Sequence, residues 1–239
     1  MQITGLLYKG FWSALDWIYP PECAACGEPG YRVCPECLQK IQFTEHTTKR
    51  KSDRSFCDNQ NCGSVERVFL AEYEGVIREC IHALKYDHNL SLGEFFSPWM
   101  GDLVKAMNWV TDLVVPVPLS DERVRLRGYN QSELLARPLA LHLGVRYLPI
   151  CVSRIRNTPS QVGLSASERR TNVAGAFRAI PELVKGKRIL LVDDVSTTGA
   201  TLAACSDAVL SAGAGMVYCI TLAGFANRNL ISSEVKHQV

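Results

Sequence analysis

Residues 188–201 read RILLVDDVSTTGAT. The uninterrupted apolar run from Ile189 to Val192 predicts a strand covered on both faces, the texture of a strand inside a parallel sheet. It ends in two adjacent acids, Asp193 and Asp194. Ser196, Thr197, Thr198, Gly199, Ala200 and Thr201 then lead into a helix whose Leu202, Cys205, Val209 and Ala212 share one face. The start of a helix presents unpaired backbone N–H groups and the positive end of the helix dipole, so it suits an anion. Thr198, Gly199 and Thr201 keep that backbone accessible and add hydroxyl donors, which fits a phosphate monoester. Asp193 and Asp194 would repel the phosphate. They suit the hydroxyls of a sugar beside it, or the support of a magnesium shell. In open α/β sheets ligands lie beyond the carboxyl ends of the strands, where this turn falls.

Other phosphate motifs do not match. A nucleotide P-loop requires G-x-x-x-x-G-K-[ST], and a dinucleotide fingerprint requires G-x-G-x-x-G after a strand. This turn has one glycine. A plain N-capped helix accounts for one hydroxyl residue, not for two acids and three threonines together.

Outward from the turn, DLVVPVP (112–118), RYLPICV (146–152) and MVYCITLA (216–223) read as further strands. Residues 131–143 read as a helix, and Val76, Ile77, Cys80, Ile81 and Leu84 recur at helical spacing. Strands alternating with helices predict an α/β fold with a mostly parallel sheet and helices on both faces.

The 239 residues are 47% hydrophobic and 21% charged, with 26 Lys plus Arg against 24 Asp plus Glu. This excludes collagen-like and wholly disordered chains, and a surface that is basic throughout. The ten cysteines are unevenly placed, six of them within residues 22–64. Cys23-Ala-Ala-Cys26 and Cys34-Pro-Glu-Cys37 are two C-x-x-C knuckles joined by a short loop, the arrangement of a closed tetrahedral metal site. Zn²⁺ in a structural role is the expected ion, with two disulfides or an iron–sulfur cluster as the competing readings. Cys57 and Cys62 have no evident partner pair, whereas Cys80, Cys151, Cys205 and Cys219 fall on apolar faces and read as buried.

Residues 1–21 predict an amphipathic helix closed by Pro20-Pro21, docked on its own protein or touching a membrane or a partner. Lys9 and Asp16 interrupt it, and it lacks a leader's cleavage site. No later run matches a membrane span of about 20 apolar residues, so a cytoplasmic chain is expected. The organisation expected is a helix over 1–21, a cysteine-rich zinc module and linker over 22–64, a main domain over 65–224 and a flexible tail over 225–239.

VDDVSTTGAT closely resembles the phosphoribosyl-diphosphate (PRPP) motif of type I phosphoribosyltransferases. Four further stretches, in order, are similar to the ComF family, competence-associated proteins that join a zinc module to a phosphoribosyltransferase domain. They are YPPECAACG (19–27), YEGVIRECIHALKY (73–86), VVPVPLSDERVRLRGYNQS (114–132) and RIRNTPSQVGLSASERRTNVAGAF (154–177).

The resemblance implies that Asp193 and Asp194 hold ribose hydroxyls and that residues 196–201 hold the 5′-phosphate. It implies a pyrophosphate loop with Arg123, Arg125, Arg127 and Gly128, which would meet a diphosphate and its Mg²⁺. It also implies a mobile segment contributing Arg156, Gln161, Arg169 and Asn172. Purine-salvage relatives carry an aspartate where this chain has Thr197, and a threonine has no usable basicity, so the acceptor is left open. The competence link implies contact with single-stranded DNA or competence proteins. The Lys49, Arg50, Lys51, Arg54 run and nearby Phe43 and Phe56 are compatible with strand contacts. Two functions follow: phosphoribosyl transfer to an unidentified nitrogen acceptor, or a non-catalytic sugar-phosphate-binding protein.

Overall fold

A computed structural model describes residues 20–44, 65–156 and 166–225. Residues 1–19 of the helix expected over 1–21, the Lys49 to Arg54 run with Phe56, Cys57 and Cys62, and the tail beyond 225 lie outside these residues. The order is α1 (Pro35–Gln39), β1 (Val65–Glu72), α2 (Gly75–Tyr86), α3 (Ser91–Ala106), β2 (Leu113–Pro116), α4 (Asp121–Arg127), α5 (Gln131–Leu143) and β3 (Arg146–Tyr147). Then come β4 (Val152–Arg154), α6 (Ala166–Val173), β5 (Phe177–Ala179), α7 (Pro181–Val184), β6 (Arg188–Ser196), α8 (Ala200–Ser211) and β7 (Met216–Gly224).

Five strands form one sheet in the order β1-β7-β6-β2-β3, every neighbouring pair parallel. The apolar run of β6 is explained by its central place, because successive side chains feed opposite cores. Ile189 and Leu191 pack with Leu113, Val115, Val217 and Cys219 and with Leu202, Cys205 and Val209 of α8. Leu190 and Val192 pack with Val114, Ile220 and Leu222 and with the apolar stripes of α2, α3 and α5. All four cysteines read as buried are fully enclosed.

The stretch 146–152 is not one strand. It pairs with β2 at Arg146 and Tyr147, passes through a 3-10 turn at Pro149–Cys151, and re-emerges as β4 paired antiparallel with β5. Pro149 lacks the N–H that a ladder would need, so the strand stops before it.

The close approach of α3 to α5 depends on two glycines. A Cβ on Gly93 would overlap the Leu134 carbonyl, and one on Gly101 would overlap the His142 ring. The cysteine module does not stand apart from this layer. Cys23, Val33, Cys34, Cys37 and Ile41 share an apolar cluster with Leu70, Ile77, Cys80 and Ile81. Its Phe43 bridges to Ala71 and stacks on Trp99 at 5.0 Å, so that ring is engaged within the protein.

Candidate functional site

Parallel strands bring their carboxyl ends to one edge, and a cleft of about 310 Å³ opens there at β6 and β2. Asp193 and Asp194 form its floor, both buried. Ser132 Oγ donates to Asp193 Oδ1 at 2.7 Å, and the Asp194 N–H donates to the same oxygen at 2.9 Å. Asp194 receives the Gln131 amide on Oδ1 at 3.2 Å and is ion-paired through Oδ2 with Lys85.

Two acids this close cannot both ionise freely. Burial, with the neighbouring Asp194 charge added, raises Asp193 to about 7. Burial would raise Asp194 as well, but the Lys85 ammonium, helped by Asp193 and the Gln131 amide, overcomes it and holds that carboxyl below its ordinary value. Lys85 is itself held above its ordinary value, the attraction of Asp194 outweighing its own burial.

The facing wall is cationic. Arg123 and Arg127, four residues apart on α4, line the cleft together with Arg154 from β4. Burial and the nearby Arg123 charge lower Arg154 from its usual value. An anion between the two guanidiniums would relieve that repulsion. Arg127 donates to Gln131 Oε1 at 2.9 Å and lies 4.9 Å over the Tyr86 ring, which ties the arginine wall to the acid floor. Thr197 and Thr201 also line the cleft, and Gly199 enters α8 with a left-handed φ of 76°. Thr198 Oγ1 accepts from the Ala200 N–H at 3.4 Å, while Ser196 ends β6.

Of the arginines expected in the loop after β2, the structure brings Arg123 and Arg127 into the cleft. Arg125 is exposed and is not among its lining residues, because alternate helical positions point apart. Gly128 closes α4 in the left-handed conformation, φ 80°, with its N–H on the Val124 carbonyl. Arg156 donates to the carbonyls of Asn172 and Ala174 at 2.9 and 2.6 Å. It and Asn172 are not among the residues lining the cleft. Gln161 and the side chain of Arg169 lie outside the described residues.

Lys85, Gln131, Ser132, Tyr73 and Arg154 complete the cleft without having been singled out as site residues. Two of them carried a signal. Lys85 continues the Ile77, Ile81 spacing on the inward stripe of α2, and Ser132 occupies the stripe of Ala136 and Leu139 on α5. A charge or hydroxyl at a core-facing position calls for a partner.

The cysteine cluster is a separate centre. Sγ atoms of Cys23, Cys26, Cys34 and Cys37 all lie within 4.8 Å of one another, and Cys26 and Cys34 are 3.6 Å apart. A tetrahedron with Zn–S bonds of about 2.3 Å has edges of about 3.8 Å, so the four sulfurs fit the ion. The four sulfurs are held unequally. Burial opposes ionisation of Cys23, but backbone donors led by the Cys34 N–H at 3.3 Å bring it down to about 6. Burial and the other three sulfurs push Cys37 up. Four sulfurs this close can all ionise only with a cation among them.

Two domain models match the chain. The phosphoribosyl transferase domain model matches residues 130–236, and the double zinc ribbon domain model matches residues 14–66. The DNA utilization protein YhgH of Escherichia coli K12 is 34% identical over 211 residues, covering 83% of this chain and 82% of that protein. Its counterpart in Salmonella typhimurium is 42% identical over 209 residues, with the same coverage. Competence protein ComFC of Streptococcus pneumoniae is 27% identical over 84% of this chain and 86% of its own. The chain belongs to the ComF family. Its fold is accordingly that of a type I phosphoribosyltransferase with an N-terminal zinc ribbon module. The four-cysteine cluster in that module supports a structural zinc. Among the described residues, no helix is long and apolar enough to cross a membrane.

Proposed function

We propose that the cleft binds PRPP or a related sugar phosphate in a protein serving DNA uptake or utilisation. One observation carries the reading: a buried, oriented acid pair shares one cleft with Arg123, Arg127 and Arg154 and with Thr197 and Thr201. Asp193 and Asp194 then accept from the ribose hydroxyls, residues 196–201 hold the 5′-phosphate, and the arginines meet the diphosphate. Mg²⁺ supplied with the ligand would neutralise the leaving diphosphate. The transfer forms a bond from an acceptor nitrogen to the anomeric carbon as the bond from that carbon to the diphosphate oxygen breaks, and pyrophosphate departs. The sugar is cationic in the transition state, so the chain's contribution is positioning and charge placement.

Thr197 favours keeping a second reading, since its hydroxyl lacks the basicity to take a proton from an acceptor base. In that reading the cleft binds the sugar phosphate without turnover, and the zinc module serves single-stranded DNA or a competence protein. A screen for pyrophosphate release across bases and amines separates the two. The shared claim is tested by calorimetry with PRPP and Mg²⁺. Wild type should bind, and Asp193→Asn and Asp194→Asn should each weaken binding about 10- to 100-fold, as expected for hydrogen bonds to a charged acceptor. Absence of binding by wild type overturns it.

A further inference from the structure

Sugar hydroxyls and a magnesium shell are alternative occupants of the acid pair, and the arrangement around it favours one. Lys85 comes from the last turn of α2 and places its ammonium on Asp194 Oδ2, with only 20% of its side chain exposed. The other oxygen of Asp194 takes the Gln131 amide, whose own carbonyl is engaged by Arg127. Asp193 Oδ1 is filled by the Ser132 hydroxyl and a backbone N–H. Three of the four carboxylate oxygens thus have donors from the chain itself. A divalent ion seated on the pair would have to share Asp194 with an ammonium, at a Coulomb cost that a buried site screens poorly.

We propose that Lys85 is the resident counter-cation of this cleft, holding the place beside Asp194 that a divalent ion would take. The acid pair then orients hydroxyls and binds no metal, and any Mg²⁺ enters at the arginine side with the diphosphate. This deepens the sugar-phosphate reading and rests on it for the hydroxyl role. Exclusion of a divalent ion from the pair stands without it. Lys85 acts through Asp194 and is a positioning residue.

The test uses the full chain with its zinc retained and no sugar phosphate present, titrated with Mn²⁺ and followed by the paramagnetic resonance of the free ion. Wild type should show no Mn²⁺ site that Asp194→Asn removes. Lys85→Met should gain one, at least about tenfold tighter than any wild-type site, as a carboxylate pair without its ammonium would provide. The double variant Lys85→Met with Asp194→Asn should lose that gain, and Lys85→Arg, which keeps the charge, should not show it. A misfolded variant does not acquire a specific ion site, so the gain cannot arise from damage. If Lys85→Met does not fold, the wild-type and Asp194→Asn titrations decide alone. A wild-type Mn²⁺ site abolished by Asp194→Asn overturns the proposal, as does a folded Lys85→Met that binds no more Mn²⁺ than wild type. Failure of PRPP to bind wild type would remove the sugar-phosphate reading and leave this titration interpretable.

Discussion

At Cys23, Cys26, Cys34 and Cys37, four ionisable sulfurs converge within 4.8 Å. At the end of β6, two carboxylates sit side by side in a buried cleft. Both assemblies concentrate negative charge, and they differ in where the compensation comes from. The cysteines have a few backbone donors and one another, and their geometry fits an ion that must arrive from outside. The acids have Lys85, Gln131 and Ser132, each delivered by a helix of the chain itself. A site completed by an external ion can make folding depend on that ion. A site completed from within is formed before any ligand comes, and its unsatisfied capacity is left for the ligand.

The largest effect expected from this contrast is on the cysteine module. Structural zinc supplies on the order of 10 kcal/mol of folding free energy to modules of this kind. Chelation, or Cys37→Ser, should therefore abolish amide-exchange protection over residues 20–44. It should also weaken protection along α2, whose Ile77 and Cys80 share the module's apolar cluster, while β6 and β7 stay protected. Protection of 20–44 that survives metal removal would mean that apolar contacts alone hold the module, and the contrast would fail.

A smaller effect is expected at the acids, and its sign follows from linkage. Asp193 is raised to about 7 in the folded chain, by burial first and by Asp194 second, from an unfolded value of about 4. Between these values the folded state holds a proton that the unfolded state has lost, so stability falls as pH rises through that window. Asp193→Asn removes the titrating group while its Oδ1 can still accept from Ser132 and the Asp194 N–H. The variant should be more stable than wild type by about 1 to 3 kcal/mol at pH 8 and show little difference at pH 4. Denaturant titrations at the two pH values measure this. Combined with the loss of ligand affinity, it would mark Asp193 as a residue kept for binding at a cost in stability. A variant equally stable at both pH values would show that the acid pair is not strained.

How much of this was legible from the residues depended on whether a signal was local. The β6 strand, the turn after it and α5 were readable because an apolar run, a hydroxyl-rich turn and helical spacing each lie within one segment. β1 and α3 were not. VERVFLAE mixes charges into an edge strand, and α3 carries Pro98 and the helix-weakening Gly93 and Gly101. Those glycines make sense only against Leu134 and His142 on another helix. The cysteine cluster was legible because C-x-x-C pairs are themselves local. The partners of Asp194 were not, because Lys85 and Gln131 stand 109 and 63 positions earlier in the chain, and only the fold brings them to it.

The smallest expected effect concerns α4, where one short helix carries three arginines with two environments. Arg123 and Arg127 are a helical turn apart and line the cleft, and Arg127 also reaches Gln131 and Tyr86. Arg125 projects from the other side and is exposed. If the cleft takes a diphosphate, replacing either lining arginine by Gln removes a charge-assisted contact and should weaken PRPP binding about tenfold. Arg125→Gln changes only the distant field, which physiological salt screens over about 8 Å, and should change affinity less than about twofold. All three variants remove the same formal charge from the same helix, so a general electrostatic attraction would lower affinity equally in each. Equal losses would therefore reject a built anion wall in favour of a diffuse basic surface. A loss confined to Arg123 and Arg127 would show that helical phase, rather than net charge, selects the residues that meet the ligand.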